Sequence, residues 1–255
     1  MLLTLDLGNT NLTIGAFRDD TLVCECRIAT DRTRTGDQYA VELLSLLRLY
    51  GISETEIDGA ILSSVVPGLD KVLADAVKRV TGITPLLVGP GVKTGMNIRI
   101  DNPAQLGADL LVGAVAAVAK YGAPCIVWDL GTATTVSVVD ADGAFRGGAI
   151  MPGVGTSLDS LVNRASLLPR IRVEAPPQVI GTNTTDSMKS GVVFGTAATL
   201  DGMSDRIEQQ LGTTATVVVT GGLGEEIASH CRRETVYDGR LLLDGLRLIY
   251  VKNCP

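Results

Sequence analysis

The chain has 255 residues, 45% hydrophobic, 20% charged and 4% aromatic, with a formal net charge of −6. It is long enough for one large or two modest globular domains. The acidic balance and few aromatic rings exclude a global basic field for DNA or RNA and a stacking surface for single strands.

Residues 2–7 predict a strand, residues 11–17 a second after a Gly-Asn-Thr turn, and residues 22–28 a third after the Asp19-Asp20 hairpin turn. GDQYAVELLSLLRLYG, at 36–51, has apolar residues at helical spacing and a glycine stop. A buried strand (IDGAILSSVVP), a helix (GLDKVLADAVKRVTG) and another strand (TPLLVG) follow. Residues 89–103 form a Gly- and Pro-rich loop, and Asn102, Pro103 and Gln105 carry the signals of a helix start. An Ala/Val helix runs on to about Tyr121, with a restart at Gly107. Its apolar run, LLVGAVAAVA at 110–119, is too short to cross a bilayer.

The pattern then begins again. Strands are expected in CIVWDLG, TTVSVVD and GAFRGGAIMPG, then a helix in GVGTSLDSLVNRASL and an irregular stretch at 169–183. A long helix occupies 184–212, a buried strand ATVVVTGG, and two helices LGEEIASHCRR and GRLLLDGLRLIYVKN. LTLDLGNTNLTIGAF at the start and IVWDLGTATTVSVVD near the middle are near copies. The repetition covers three strands and the helices after them, which reads as an internal duplication. The expected fold is α/β: two duplicated domains, residues 1–117 and 118–255, with a ligand cleft between them.

Each copy has a strand ending in Asp, a glycine that lets the backbone turn, and residues offering hydroxyl, amide and N–H groups to phosphate oxygens. These are Asp6, Leu7, Gly8, Asn9, Thr10, Asn11, Leu12 and Thr13 in the first, and Asp129 with Thr132 in the second. A carboxylate beside phosphate implies Mg²⁺, a monovalent cation or a positioned water. Neither a P-loop nor a dinucleotide-binding glycine pattern occurs. VVVTGGLG, at 217–224, offers small residues against which a base or ribose can lie, or simply a tight turn. Asp109 stands alone in an apolar helix, where a first-turn acid stabilised by the helix dipole is the alternative to a functional role. The single histidine, His230, and the five cysteines, none in a C-x-x-C pair, read as structural. No basic leader precedes the first strand, so a cytoplasmic protein is expected, and the glycosylation triplets at Asn11 and Asn183 are chance matches.

Two Asp-tipped hairpins with a late Gly-Gly loop resemble the actin, sugar kinase and heat-shock chaperone superfamily, built from ribonuclease-H-like (actin-like ATPase) domains. Within it, the chain is similar to the type III pantothenate kinases. The resemblance is carried by DLGNTNLTIG, KTGMNIRIDNPAQLGAD, DLGTATT, GGAIMPGV, NTTDSMKSGVVFG, TGGLG and LLLDGLRLIY, in family order over nearly the whole chain. It implies ATP-dependent phosphorylation of pantothenate, the first step of coenzyme A synthesis, with ATP, Mg²⁺ and K⁺ or NH₄⁺ as cofactors. It implies that Asp6 to Thr13 and Thr132 contact ATP, that Asp109 is the general base and that Asp129 is the monovalent-cation ligand. Gly107, Ala108, Asp109, Leu110 and Thr184 would form the substrate pocket, completed at a homodimer interface; neither nucleic acid nor membrane is an expected partner. Family members often carry Arg where this chain has Leu110, and Tyr where it has Ile100. Leucine cannot pair with the pantothenate carboxylate, so Arg99, Lys93 or Arg164 is a candidate substitute. A kinase for a related small hydroxy acid, a nucleotide-binding regulatory protein, and a hydrolase of the same superfamily are the alternatives.

Overall fold

Leu3, Leu5 and Leu7 alternate with Thr4 and Asp6 along the first strand, β1 (Leu2–Leu7), and both faces of that strand are covered. The strand belongs to a mixed α/β computed structural model that describes residues 1–254. β2 (Asn11–Arg18) and β3 (Thr21–Ala29) continue from β1 as an antiparallel meander. β4 (Gly59–Ser64) adds parallel to β1, and β5 (Leu86–Leu87) parallel to β4, giving the order β3-β2-β1-β4-β5. α1 (Gly36–Leu49) starts on a capping box in which Thr35 and Gln38 satisfy each other's backbone N–H. α2 (Leu69–Thr81) ends on Gly82, whose left-handed backbone lets its N–H reach the Lys78 carbonyl at 2.8 Å. Tyr39, Leu43 and Leu47 of α1, with Leu69, Leu73 and Val77 of α2, bury the face bearing Leu3, Leu5 and Leu7.

The second sheet repeats the first. β7 (Cys125–Leu130), β8 (Ala133–Val139) and β9 (Ala144–Pro152) form the meander, and β10 (Thr216–Thr220) adds parallel to β7. With β6 (Asn97–Ile98) and β11 (Val236–Tyr237) at its edges, the order is β11-β10-β7-β8-β9-β6. α4 (Val154–Arg164) and α5 (Thr184–Leu211) follow β9, and α5 packs Val193, Ala197 and Leu200 against Ile126, Trp128 and Val136. The Trp128 indole donates to the buried Ser204 hydroxyl at 3.1 Å.

Two features were not expected from sequence. β6 and β11 are two-residue edge strands paired in parallel to β9 and β10. The helix expected over 223–233 shrinks to α6 (Gly224–Ala228), because the Asp201 carboxylate accepts the N–H groups of Arg232 and Arg233 and draws the chain out of helical bonding. The chain divides into two compact units. Residues 104–116 fall in the first unit and residues from Ala117 in the second, but 96–103 count with the second and the residues from Leu242 with the first. The last helix, α7 (Leu241–Asn253), therefore does not stay with the second unit. Its Leu246 and Ile249 pack with Ile61 of β4 and with Val112 of α3 (Ala108–Tyr121), on the sheet face opposite α1 and α2. None of the described helices is long and apolar enough to cross a membrane.

Candidate active site

In the first unit, β1 ends at a tight turn in which the Gly8 N–H donates to the Asn11 carbonyl at 2.9 Å. Asn9, Thr10 and Asn11 are exposed, whereas the side chains of Leu7 and Leu12 lie in the core. Those two leucines can therefore offer phosphate only their backbone. Asp6 stands opposite Thr13 on the antiparallel side and Ser63 on the parallel side. The second unit repeats this register, with Asp129 opposite Thr135 and Thr220. The duplication thus extends to a hydroxyl residue on each side of both strand-end carboxylates, a detail visible only once the parallel pairing is known.

The turn at Thr132 is held from α4. Its carbonyl accepts from the Gly153 N–H at 3.1 Å and from the Thr156 hydroxyl at 2.8 Å. A side chain at Gly153 would strike the carbonyls of Gly131 and Thr132, so only glycine permits that approach. Gly221, in the Thr-Gly-Gly stretch, has φ +92°, and a Cβ there would lie 2.7 Å from Asp129 Oδ1. The late glycine loop is thus packed onto the second strand-end carboxylate.

Asp109 occupies the first turn of α3. Burial pushes its carboxyl above the ordinary carboxylate range, opposed by N–H donation from Leu110 (2.8 Å) and from its own backbone. A Cβ on Gly107 would come within 2.5 Å of Asp109 Oδ1, so glycine there leaves the carboxylate its place. Ala108 and Leu110 flank it, both half-buried. The Asp109 carboxylate is thus half-buried, oriented by N–H groups and raised in pKa.

Thr184 opens α5, next to the N-cap Asn183, whose side chain accepts from the Asp186 N–H at 2.9 Å. It lines a cavity of about 1050 Å³ within the second unit, together with Thr134, Ser157, Leu161 and Met188. Around this region Leu167 is 93% and Ile180 81% exposed. Arg164 continues the α4 face of Ser157 and Leu161, and no ion pair is recorded for it among the described residues. Arg99 instead pairs with Asp142 (3.1 Å) and Asp140 (3.6 Å), and Lys93 is tied by its backbone to the Asn253 amide. Ile100 is half-buried in the second unit, near Gly147 of β9.

Among the described residues no three His, Cys, Asp or Glu side chains gather to hold a metal. A cation here would therefore share its shell with phosphate oxygens and water, as Mg²⁺ commonly does. One observation fits such a group beside Asp6: the Ser63 hydroxyl is fully buried, faces the same side of the sheet and has no hydrogen-bond partner. Sequence reading missed Ser63, and it missed the residues that tie down the first turn, Thr30 and Arg32. The β2–β3 register carried the signal for Thr30 and Arg32: Ala29 pairs with Asn11, so the chain leaving β3 must pass the turn.

A repeated β-meander extended by parallel strands, each copy with an Asp-tipped hairpin, defines a protein of the actin-like ATPase and sugar kinase fold. The component A of (R)-2-hydroxyglutaryl-CoA dehydratase from Acidaminococcus fermentans shares that fold with a TM-score of 0.59 at 14% identity, covering 99% of this chain and 96% of its own. A Campylobacter jejuni protein described as a Baf family transcriptional activator also gives 0.59, at 20% identity and 98% coverage of both chains. The family model for type III pantothenate kinase matches residues 2–206. A type III pantothenate kinase of Halalkalibacterium halodurans is 45% identical over 253 residues, 99% of this chain and 100% of the relative. The chain belongs to the type III pantothenate kinase family.

Proposed function

We propose that this chain is an enzyme that transfers the terminal phosphoryl group of ATP to the hydroxyl of pantothenate, giving 4′-phosphopantothenate. The observation that carries this reading is whole-length similarity to a relative named type III pantothenate kinase, with both Asp-tipped hairpins intact. Phosphoryl transfer depends on positioning and charge neutralisation more than on covalent help. The turns at Asp6 to Thr13 and at Thr132 present hydroxyls and backbone N–H groups to phosphate oxygens. Asp109 accepts the proton of the attacking hydroxyl at its carboxylate, supported by burial that raises its basicity. Asp6 would hold Mg²⁺ and Asp129 a monovalent cation, K⁺ or NH₄⁺; when bound, these ions offset the charge of the triphosphate.

Gly107, Ala108, Asp109, Leu110 and Thr184 are proposed to bind pantothenate. Its carboxylate requires a cation that Leu110 cannot supply. Arg164 is the best-supported substitute, because it continues the α4 face of Ser157 and Leu161, which line the cavity with Thr184, and pairs with no carboxylate among the described residues. A homodimer whose interface completes the site is supported by the exposed Leu167 and Ile180. A cytoplasmic location agrees with five free cysteines.

The test is ADP release from ATP with and without pantothenate. Pantothenate-dependent release is expected. Equal release in both arms would mark a hydrolase. ATP binding without release would mark a regulatory protein.

A further inference from the structure

The first phosphate turn has no cation of its own: residues 6–15, DLGNTNLTIG, contain neither lysine nor arginine. A triphosphate brought there meets a carboxylate and neutral polar groups. One guanidinium is nevertheless built onto the turn from outside it. Arg32 Nη2 donates to Asn9 Oδ1 at 2.8 Å.

The backbone that carries Arg32 is fixed on both sides. Thr30 donates its N–H to the Thr10 carbonyl and its hydroxyl to the Gly8 carbonyl, both at 2.8 Å. Asp31 is bracketed by the hydroxyl of buried Tyr39, which accepts from the Asp31 N–H at 3.0 Å and donates to its carbonyl at 2.9 Å. The Asp31 carboxylate is occupied with the N–H and hydroxyl of Thr33 and with Arg34, and Arg34 also pairs with Glu42. The neighbouring charges are thus spoken for, and among the described residues Arg32 meets a neutral amide rather than a carboxylate. Arg32 and Asn9 are both exposed.

An arginine held by one N–H, with four others to donate and no carboxylate paired to it among the described residues, is prepared for an anion. We infer that Arg32 is a phosphate-binding residue of the nucleotide site, oriented by Asn9 and supplying the positive charge that the first turn lacks. This rests on the ATP-dependent function proposed above. The guanidinium can donate two parallel N–H bonds to a phosphate, which a lysine at the same place could not.

The experiment measures binding of ATP and of adenosine to the full chain in Mg²⁺, by displacement of a fluorescent nucleotide, for wild type, Arg32→Ala and Arg32→Lys. Arg32→Ala should weaken ATP about tenfold to a hundredfold and leave adenosine unchanged, as expected for loss of a charge-assisted hydrogen bond. Arg32→Lys should recover part of the loss, and the KM for pantothenate should hold in both variants. Unchanged ATP affinity in Arg32→Ala would overturn the inference, as would equal losses for ATP and adenosine. Wild-type chain that binds ATP but releases no ADP with pantothenate would end the kinase reading while leaving Arg32 to stand or fall by its own binding data. Wild-type chain that binds no ATP would end both.

Discussion

At the scale of single residues, the proposed chemistry rests on Asp109. Burial raises its carboxyl, and a base must be ionised to take a proton. Activity should therefore fall as the pH drops through that raised value, with an acid limb above the roughly 4 of an ordinary carboxylate. The stability linkage runs the other way. A carboxyl raised on folding contributes stability below its unfolded pKa that is lost as pH rises through its folded pKa. Asp109→Asn should thus cost about 10²–10⁴-fold in kcat while its melting temperature at neutral pH does not fall. A variant that keeps wild-type rates would remove Asp109 from the mechanism. The missing arginine gives a second residue-scale prediction. Arg164→Ala should raise the KM for pantothenate by about tenfold or more, the loss of a hydrogen bond to a charged group, and Leu110→Arg should restore it. An unchanged KM in Arg164→Ala would mean that another group holds the carboxylate.

At the scale of elements, glycines decide which segments can approach each other. Gly245 of α7 faces Val112 of α3 so closely that a Cβ would strike the Val112 carbonyl. Gly245→Ala should destabilise the protein by about 1–3 kcal/mol. Gly202, inside α5, meets only the far end of the Arg206 side chain, and Gly202→Ala should stabilise by about 0.5–1 kcal/mol. Urea unfolding of the two variants checks the opposite signs. The elements themselves were largely legible in the sequence. β1, β4, β7 and β10 carry apolar residues on both faces, and α1, α2 and α5 carry explicit caps. β6 and β11 were not legible, because two residues joined by backbone bonds leave no side-chain period. The end of α6 depends on Asp201, more than twenty residues upstream. The candidate site divides in the same way. The Asp-tipped turns show in the local string, whereas Ser63 and Arg32 are recruited by strand register, which no window of sequence displays.

At the scale of the whole molecule, the fold is one plan used twice, and the copies differ in the strands and helices added around the shared meander. The second copy carries the exposed Leu167 and Ile180 and the cavity beside Thr184. If these cover each other in a symmetric pair, sedimentation should give a dimer, and Ile180→Asp should shift it toward monomer. An Ile180→Asp protein that sediments as wild type would exclude that surface. The segment from Leu242 onward bears on how the protein is made. It completes the first unit, yet it leaves the ribosome only after every residue of the second unit has been translated. The second half thus has its own sequence in hand first, while the opening half waits for a closing helix translated after it. A chain that ends at Leu241 and has been released from the ribosome should hold a protease-resistant second unit beside a still-sensitive first one.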